Sequence, residues 1–267
     1  MIHELKYSNT NTYLIKGDSG MLLFDTGWAG SFPAFCSCMG GLGIPVQDIS
    51  CILISHYHPD HMGIAQEISD IGPTVAAADV QKEYIHSADA VFAKENNTSF
   101  RPIDDEKVII LPTGGSREFL KRLGISGEII HTPGHSDDSI SLCLDSGCMF
   151  VGDLNPLYEL ELHRNDLIGK SWEKLLVRLP KKVFYGHAKT AVLGEDAAAE
   201  CEDKDLYALV SKITGLIDRG TSPDRIRKKT GAGPEFIEDV SRMYLTHRDI
   251  GVQGILDRIE SRHSSCR

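Results

Sequence analysis

No stretch of this 267-residue chain stays apolar for the roughly 18 to 20 residues that a membrane-spanning helix needs. An excess of positive charge is missing too. Against 38 Asp and Glu there are 28 Lys and Arg, and the net charge of −10 offers no positive field to phosphates, which argues against nonspecific nucleic-acid binding. The opening residues, Met1 to Lys6, lack the basic-then-apolar pattern of a secretory signal, so a cytoplasmic location is expected. A disulfide framework is also lacking, because the seven cysteines (Cys36, Cys38, Cys51, Cys143, Cys148, Cys201 and Cys266) are odd in number and scattered along a chain too long to need staples. Cys36 and Cys38 form a C-x-C pair with no second thiol pair near enough to complete a zinc ribbon; all seven are expected reduced and structural. With 41% hydrophobic and 25% charged residues, what remains is an ordinary globular protein, long enough for one sizeable domain or a domain with an appendage.

Through the first two-thirds, short apolar runs alternate with helical patterns. Strands are expected at Thr12–Lys16, Met21–Asp25, Cys51–Ser55, Thr74–Ala78, Val108–Leu111, Glu128–Thr132, Ser139–Leu144, Met149–Gly152 and Lys182–Tyr185. Helices are expected at Ile64–Ile71, Asp79–Ser87 and Arg117–Leu123, which makes the class α/β or mixed α+β. The stretch Asp89–Asp105 breaks periodicity and carries Phe92, Phe100 and Arg101, so it reads as an irregular binding loop or lid. After about Glu195 the texture turns helical: Asp205–Asp218 places Leu206, Leu209, Val210, Ile213 and Ile217 on one face, and Pro223–Lys229, Glu235–Leu245 and Val252–Ser261 follow. The expected division is therefore 1–195 and a helical appendage, 196–267.

The chemistry concentrates after the strand at Cys51–Ser55. There His56-Tyr57-His58-Pro59-Asp60-His61 sets three histidines and one aspartate within six positions at the end of a buried strand. Imidazole nitrogens and a carboxylate in a rigidly held strand-end loop suit a borderline divalent ion, zinc first, with iron or manganese as alternatives. His56 and His58 alternate and so point to one side of an extended backbone, whereas Asp60 and His61 diverge near the helix entry and can serve a second ion. Further candidates, His135, Asp153 and His187, each stand at a strand-end junction.

These residues resemble the metallo-β-lactamase superfamily of metallohydrolases. His56-Tyr57-His58-Pro59-Asp60-His61 matches its H-x-H-x-D-H motif, and Asp25-Thr26-Gly27, His135, Asp153 and His187 follow in the family's order over about residues 1 to 195. The resemblance implies an α+β fold, a four-layer αβ/βα sandwich, here with a small all-helical C-terminal extension. It implies two divalent ions, one on His56, His58 and His135 and the other on Asp60, His61 and His187, with Asp153 bridging. Asp60 would also orient or deprotonate the nucleophile, and Asp25, left without a ligand position, would support the ligands from behind. The activity implied is a metal-dependent hydrolase in which a hydroxide attacks a small thioester, ester or lactone.

An aspartate at position 153 fits the glyoxalase II type of thioesterase, lactonases and phosphodiesterases better than true β-lactamases of this fold, which tend to carry cysteine or serine there. Thr132-Pro133-Gly134-His135-Ser136 and Tyr185-Gly186-His187-Ala188-Lys189-Thr190 are similar to runs in glyoxalase II relatives. Tyr158, Lys189 and His163 are candidate substrate contacts, Tyr158 as a donor to an oxyanion and Lys189 as a partner for a carboxylate.

The alternative is a phosphodiesterase or nucleic-acid-processing enzyme whose C-terminal helices bind nucleic acid. Ser222–Val240 resembles a helix-turn-helix, with Arg225, Arg227, Lys228 and Lys229 available to phosphates. The second helix, however, begins with Glu235, Glu238 and Asp239, and carboxylates on a recognition helix repel phosphate. The expected partner is a small-molecule substrate, with the appendage closing the active-site mouth or forming a homodimer contact.

Overall fold

The computed structural model describes residues 1–112, 114–157, 160, 166–193, 204–246 and 255. Six strands, β1 (Ile2–Leu5), β2 (Thr12–Lys16), β3 (Met21–Phe24), β4 (Cys51–Leu53), β5 (Thr74–Ala78) and β6 (Val108–Leu111), form one sheet in that order. β1, β2 and β3 pair antiparallel, and β3 to β6 pair parallel. Five more, β7 (Gly127–His131), β8 (Ile140–Leu144), β9 (Cys148–Phe150), β10 (Lys182–Phe184) and β11 (Ala191–Val192), build a second sheet of order β11-β10-β9-β8-β7, with β9 and β10 parallel.

Strands buried on both faces must be apolar at nearly every position, and β3 and β4 are. Successive side chains then supply different cores. Leu22, Phe24, Cys51 and Leu53 meet Ile140, Leu142 and Phe150 of the second sheet, while Leu23 and Ile52 turn the other way, to Phe35 and Met39 of α1 (Phe32–Gly41). Between the sheets Phe150 stacks on Phe184 with ring centroids 4.7 Å apart, and Tyr13 meets Phe150 edge-on at 5.1 Å. The fold is α+β: two mixed sheets packed face to face, with α1, α2 (Pro59–Met62), α3 (Ala65–Ser69), α4 (Asp89–Lys94), α5 (Ser116–Arg122) and α6 (Leu167–Leu176) around them.

This topology gathers strand ends at one edge. The Ile140 amide donates to the Ser55 carbonyl at 2.8 Å, the Tyr13 hydroxyl to the Tyr185 carbonyl at 2.8 Å, and the Asn11 amide to the Gly186 carbonyl at 2.7 Å. Each bond ties one sheet to the other where β4 and β10 run out.

Several elements differ from expectation. β1, α1, α6 and β11 have no counterpart in the pattern reading. α1 begins with Phe32-Pro33, where proline's fixed φ suits a first helical turn, and buries the i, i+4 pair Phe35 and Met39. α6 is capped by Asp166, whose side chain accepts from the Ile168 and Gly169 amides. Asp79–Tyr84 is 3₁₀ rather than α-helical. Nor is the stretch Asp89–Asp105 irregular throughout: α4 opens it, Phe92 is buried and stacks on Phe100 at 4.0 Å, and Arg101 pairs with Asp70. Apolar anchors hold this segment to the core, so it is not a loose lid.

By internal contacts the chain divides into two compact units, Met1–Ala191 and Val192–Arg267. In the second, α7 (Lys204–Asp218), α8 (Pro223–Thr230) and α9 (Pro234–Thr246) enclose Val210, Ile213, Leu216, Ile226, Ile237, Val240 and Met243 together with Ile255. Gly231, at φ +75°, takes the left-handed conformation that ends α8. The expected Val252–Ser261 helix lies outside the described residues except for Ile255. Among the described residues, Cys36, Cys38, Cys51, Cys143 and Cys148 are unpaired thiols, and no helix is long and apolar enough to cross a membrane.

Candidate metal centre

β4 ends at Leu53, the chain bends at Ser55 and His56, and His58, itself extended, precedes Pro59 at the start of α2, which carries Asp60 and His61. His56 and His58 come together as expected, though through a bent segment and not a continuing strand. His56 Nε2 lies 3.0 Å from His58 Nδ1, and His135 Nε2, from the loop after β7, approaches the same Nδ1 to 3.1 Å. Three ring nitrogens thus face a common point. A second group forms alongside, with His187 Nε2, from the loop after β10, 2.8 Å from Asp60 Oδ2, and His61 Nε2 3.7 Å from that oxygen. Asp153, following β9, stands between the groups: its Oδ1 is 3.3 Å from His61 Nε2, and its Oδ2 is 3.5 Å from His187 Nε2 and 3.6 Å from His135 Nε2.

In each of the sets His56, His58, His135; His56, His61, Asp153; and Asp60, His61, His187, one atom per residue lies within 4.8 Å of the others. Whether these residues suit a cation can be judged from two buried atoms. His61 Nε2 and Asp153 Oδ1 are both shut from solvent and lack a properly oriented hydrogen-bond partner. Both are lone-pair donors, an imidazole nitrogen and a carboxylate oxygen, and a divalent ion supplies the acceptor both need. The residues fit.

The ligands are held from behind. Asp25, at φ +62°, accepts from the Ser55 amide (2.7 Å), the Ser55 hydroxyl (2.9 Å) and His61 Nδ1 (2.9 Å). His187 Nδ1 donates to the Asn9 carbonyl at 3.0 Å. Gln81, fully buried, donates to the carbonyls of Ile54, Ser55 and Asp138 and so joins the His56 loop to the one bearing His135. Ser55 and Gln81 escape sequence reading. Ser55 adjoins the motif, but the role of Gln81 has no local signal, since the carbonyls it donates to lie 26 to 57 residues away.

Lys189 is exposed and engaged in an interaction of its own, while Tyr158 and His163 lie outside the described residues.

Without ions the cluster balances charge internally. Burial disfavours a charged His61, yet Asp153 and Asp25 overcome it and hold the ring well above the ordinary imidazole range. His187 is raised in the same way, against burial, by Asp153 and Asp60. Burial, reinforced by His61, drives His56 well below that range, and burial lowers His135. Burial opposes ionisation of Asp153 and Asp60, but His61 and His187 outweigh it and lower both carboxyls.

The raised histidines contribute stability that is present below about pH 6.5 and lost as pH climbs through their folded values. The lowered carboxylates contribute stability present above about pH 3.9 and lost as pH falls through theirs. Metal loading needs neutral imidazoles, so it must expel protons from His61 and His187. Calorimetric zinc titrations in buffers of different ionisation enthalpy should give heats that vary with the buffer and report net proton release. Heats independent of the buffer would contradict this charge distribution.

Residues 6–187 match the family model described as the metallo-beta-lactamase superfamily. The chain belongs to this superfamily. Among other members, it is 31% identical over 181 residues to the beta-lactamase-like protein 2 homolog of Drosophila melanogaster, a match covering 67% of this chain and 58% of that one. It is 27% identical over 156 residues to an atrochrysone carboxyl ACP thioesterase of Aspergillus fumigatus, covering 56% of this chain and 30% of that enzyme. The chain thus spans less than two-thirds of either relative. In fold it is similar to a metallo-beta-lactamase family protein of Thermus thermophilus, with a TM-score of 0.53 at 20% identity over 99% of this chain and 93% of that one.

Proposed function

We propose that this superfamily hydrolase works with two divalent ions, zinc by preference, and cleaves a small thioester, ester or lactone. The observation that carries the reading is the placement of Asp153, whose two oxygens face His61 on one side and His135 and His187 on the other. His56, His58 and His135 would hold one ion, Asp60, His61 and His187 the other, and Asp153 both. Bound ions of this kind supply water of lowered pKa and polarise a carbonyl oxygen.

The chain's own residues do the rest. Asp60 keeps one carboxylate oxygen against His187 and can take a proton from the attacking water at the other. His58 is exposed whereas His56 and His61 are buried, so substrate reaches the centre from the His58 side. Thioesters head the substrate classes because a thioesterase stands among the relatives and because a carboxylate occupies position 153. A cytoplasmic setting accords with the unpaired thiols.

A panel of thioesters, esters, lactones, phosphodiesters and β-lactams, run on protein of measured metal content, tests this reading. Acyl thioester turnover that vanishes with a chelator and returns with zinc is the expected result. Turnover confined to phosphodiesters, or indifferent to chelation, would overturn it.

A further inference from the structure

Two ligand histidines and two buried side chains behind them form one continuous chain of hydrogen bonds. Asp25 and Ser55 are each 1% exposed, and His56 and His61 are fully buried, so no water competes for their polar atoms. Each proton can be placed. Asp25 is acceptor only, so His61 Nδ1–H and the Ser55 hydroxyl both donate to its Oδ2, each at 2.9 Å. With its proton directed at Asp25, the Ser55 oxygen is free to accept. His56 Nδ1 lies 3.0 Å from it and can donate, whereas His61 Nδ1 stands farther off at 3.3 Å and has its shorter bond to Asp25. Every bond then has one donor and one acceptor, and each ring keeps its Nε2 for the ligand side, where His61 Nε2 lies 3.3 Å from Asp153 Oδ1 and His56 Nε2 lies 3.0 Å from His58 Nδ1. Gly152 makes this possible sterically, since a Cβ there would sit 2.6 Å from both Cβ and Oγ of Ser55.

We propose that Ser55 is a positioning residue through which one buried carboxylate, Asp25, sets the ring-proton position of a histidine in each ligand group: His61 directly and His56 by way of the Ser55 hydroxyl. The inference rests on the two-ion reading for its consequence, while the hydrogen-bond chain itself exists without ions. Its consequence is selectivity. Loss of the hydroxyl should loosen the ion held by His56, His58 and His135 and spare the other. Loss of the Asp25 charge should loosen both.

The test uses Ser55→Ala and Asp25→Asn in the full chain. Ser55→Ala keeps the backbone donor to Asp25 Oδ1, and asparagine tolerates the positive φ of position 25. Long-range proton–nitrogen NMR of the metal-free protein should show the His56 proton on Nδ1 in the wild type and displaced from it in Ser55→Ala. In zinc titrations against a competing chelator, Ser55→Ala should weaken one ion about 10- to 100-fold and leave the other unchanged. Asp25→Asn should weaken both, and the double variant should add nothing at the His56 position beyond Asp25→Asn.

An unchanged His56 signal with unchanged zinc affinities in Ser55→Ala would overturn the proposal. Should Ser55→Ala not fold, Asp25→Asn alone decides it: a changed His56 signal supports the relay, and a change confined to His61 overturns it. A wild type that fails to take two ions would sink the two-ion reading, while the NMR result would still decide the role of Ser55.

Discussion

Gly186→Ala should give a folded protein that no longer holds two ions and turns over its substrate at least about 10²-fold more slowly, the loss that an ångström of misplacement brings. A Cβ at this position would lie 2.4 Å from Asp153 Oδ1 and 2.8 Å from His61 Cε1, closer than real contacts allow. The backbone has little freedom to retreat, because the Gly186 amide donates to Gly152 and its carbonyl accepts from Asn11, both at 2.7 Å. The Asp153 carboxylate must therefore move. Position 186 does not need positive φ, so alanine brings no backbone strain, and thermal unfolding of the metal-free variant should stay near that of the wild type. Full zinc content with wild-type turnover would show that Asp153 does not bridge.

Asp60→Asn carries the second large effect. The residue is held by its own backbone, with Pro59 starting α2 and the Thr10 hydroxyl donating to the Asp60 carbonyl at 2.7 Å, so the loop should keep its shape. An amide oxygen can still accept from His187, but the group can no longer take a proton. A kcat loss of about 10²- to 10⁴-fold is expected, the range for removing a positioned acid–base group. It should be accompanied by loss of the acidic limb of the pH–rate profile. Unchanged kcat with an unchanged limb would assign proton transfer elsewhere.

The sequence discloses the two parts of this protein unevenly, for physical reasons. His56, His58, Asp60 and His61 are legible because a strand end and one helical turn hold all four within six residues, so spacing alone states their geometry. His135, Asp153 and His187 are legible only as candidates at strand ends. What brings them together is the pairing of β7 to β10, which no local pattern specifies. The central strands announce themselves by being apolar on both faces, but β1 is only partly covered and β11 is two residues long, too little for a periodic signal. The segment 89–105 misleads because its periodicity is broken by polar residues, while its order comes from Phe92 and Phe100 stacking, a contact eight residues apart. The support of the ligands is the least legible layer. Ser55 and Gln81 are ordinary polar residues until the fold buries them beside imidazoles and carbonyls.

The most direct measurement is the zinc content per chain after reconstitution and dialysis, in the wild type and in Asp153→Ala. Two zinc ions per wild-type chain, falling to one or none without the Asp153 carboxylate, is the predicted result. A wild type without stoichiometric zinc, or an Asp153→Ala protein that keeps both ions, would contradict a centre built on the shared carboxylate.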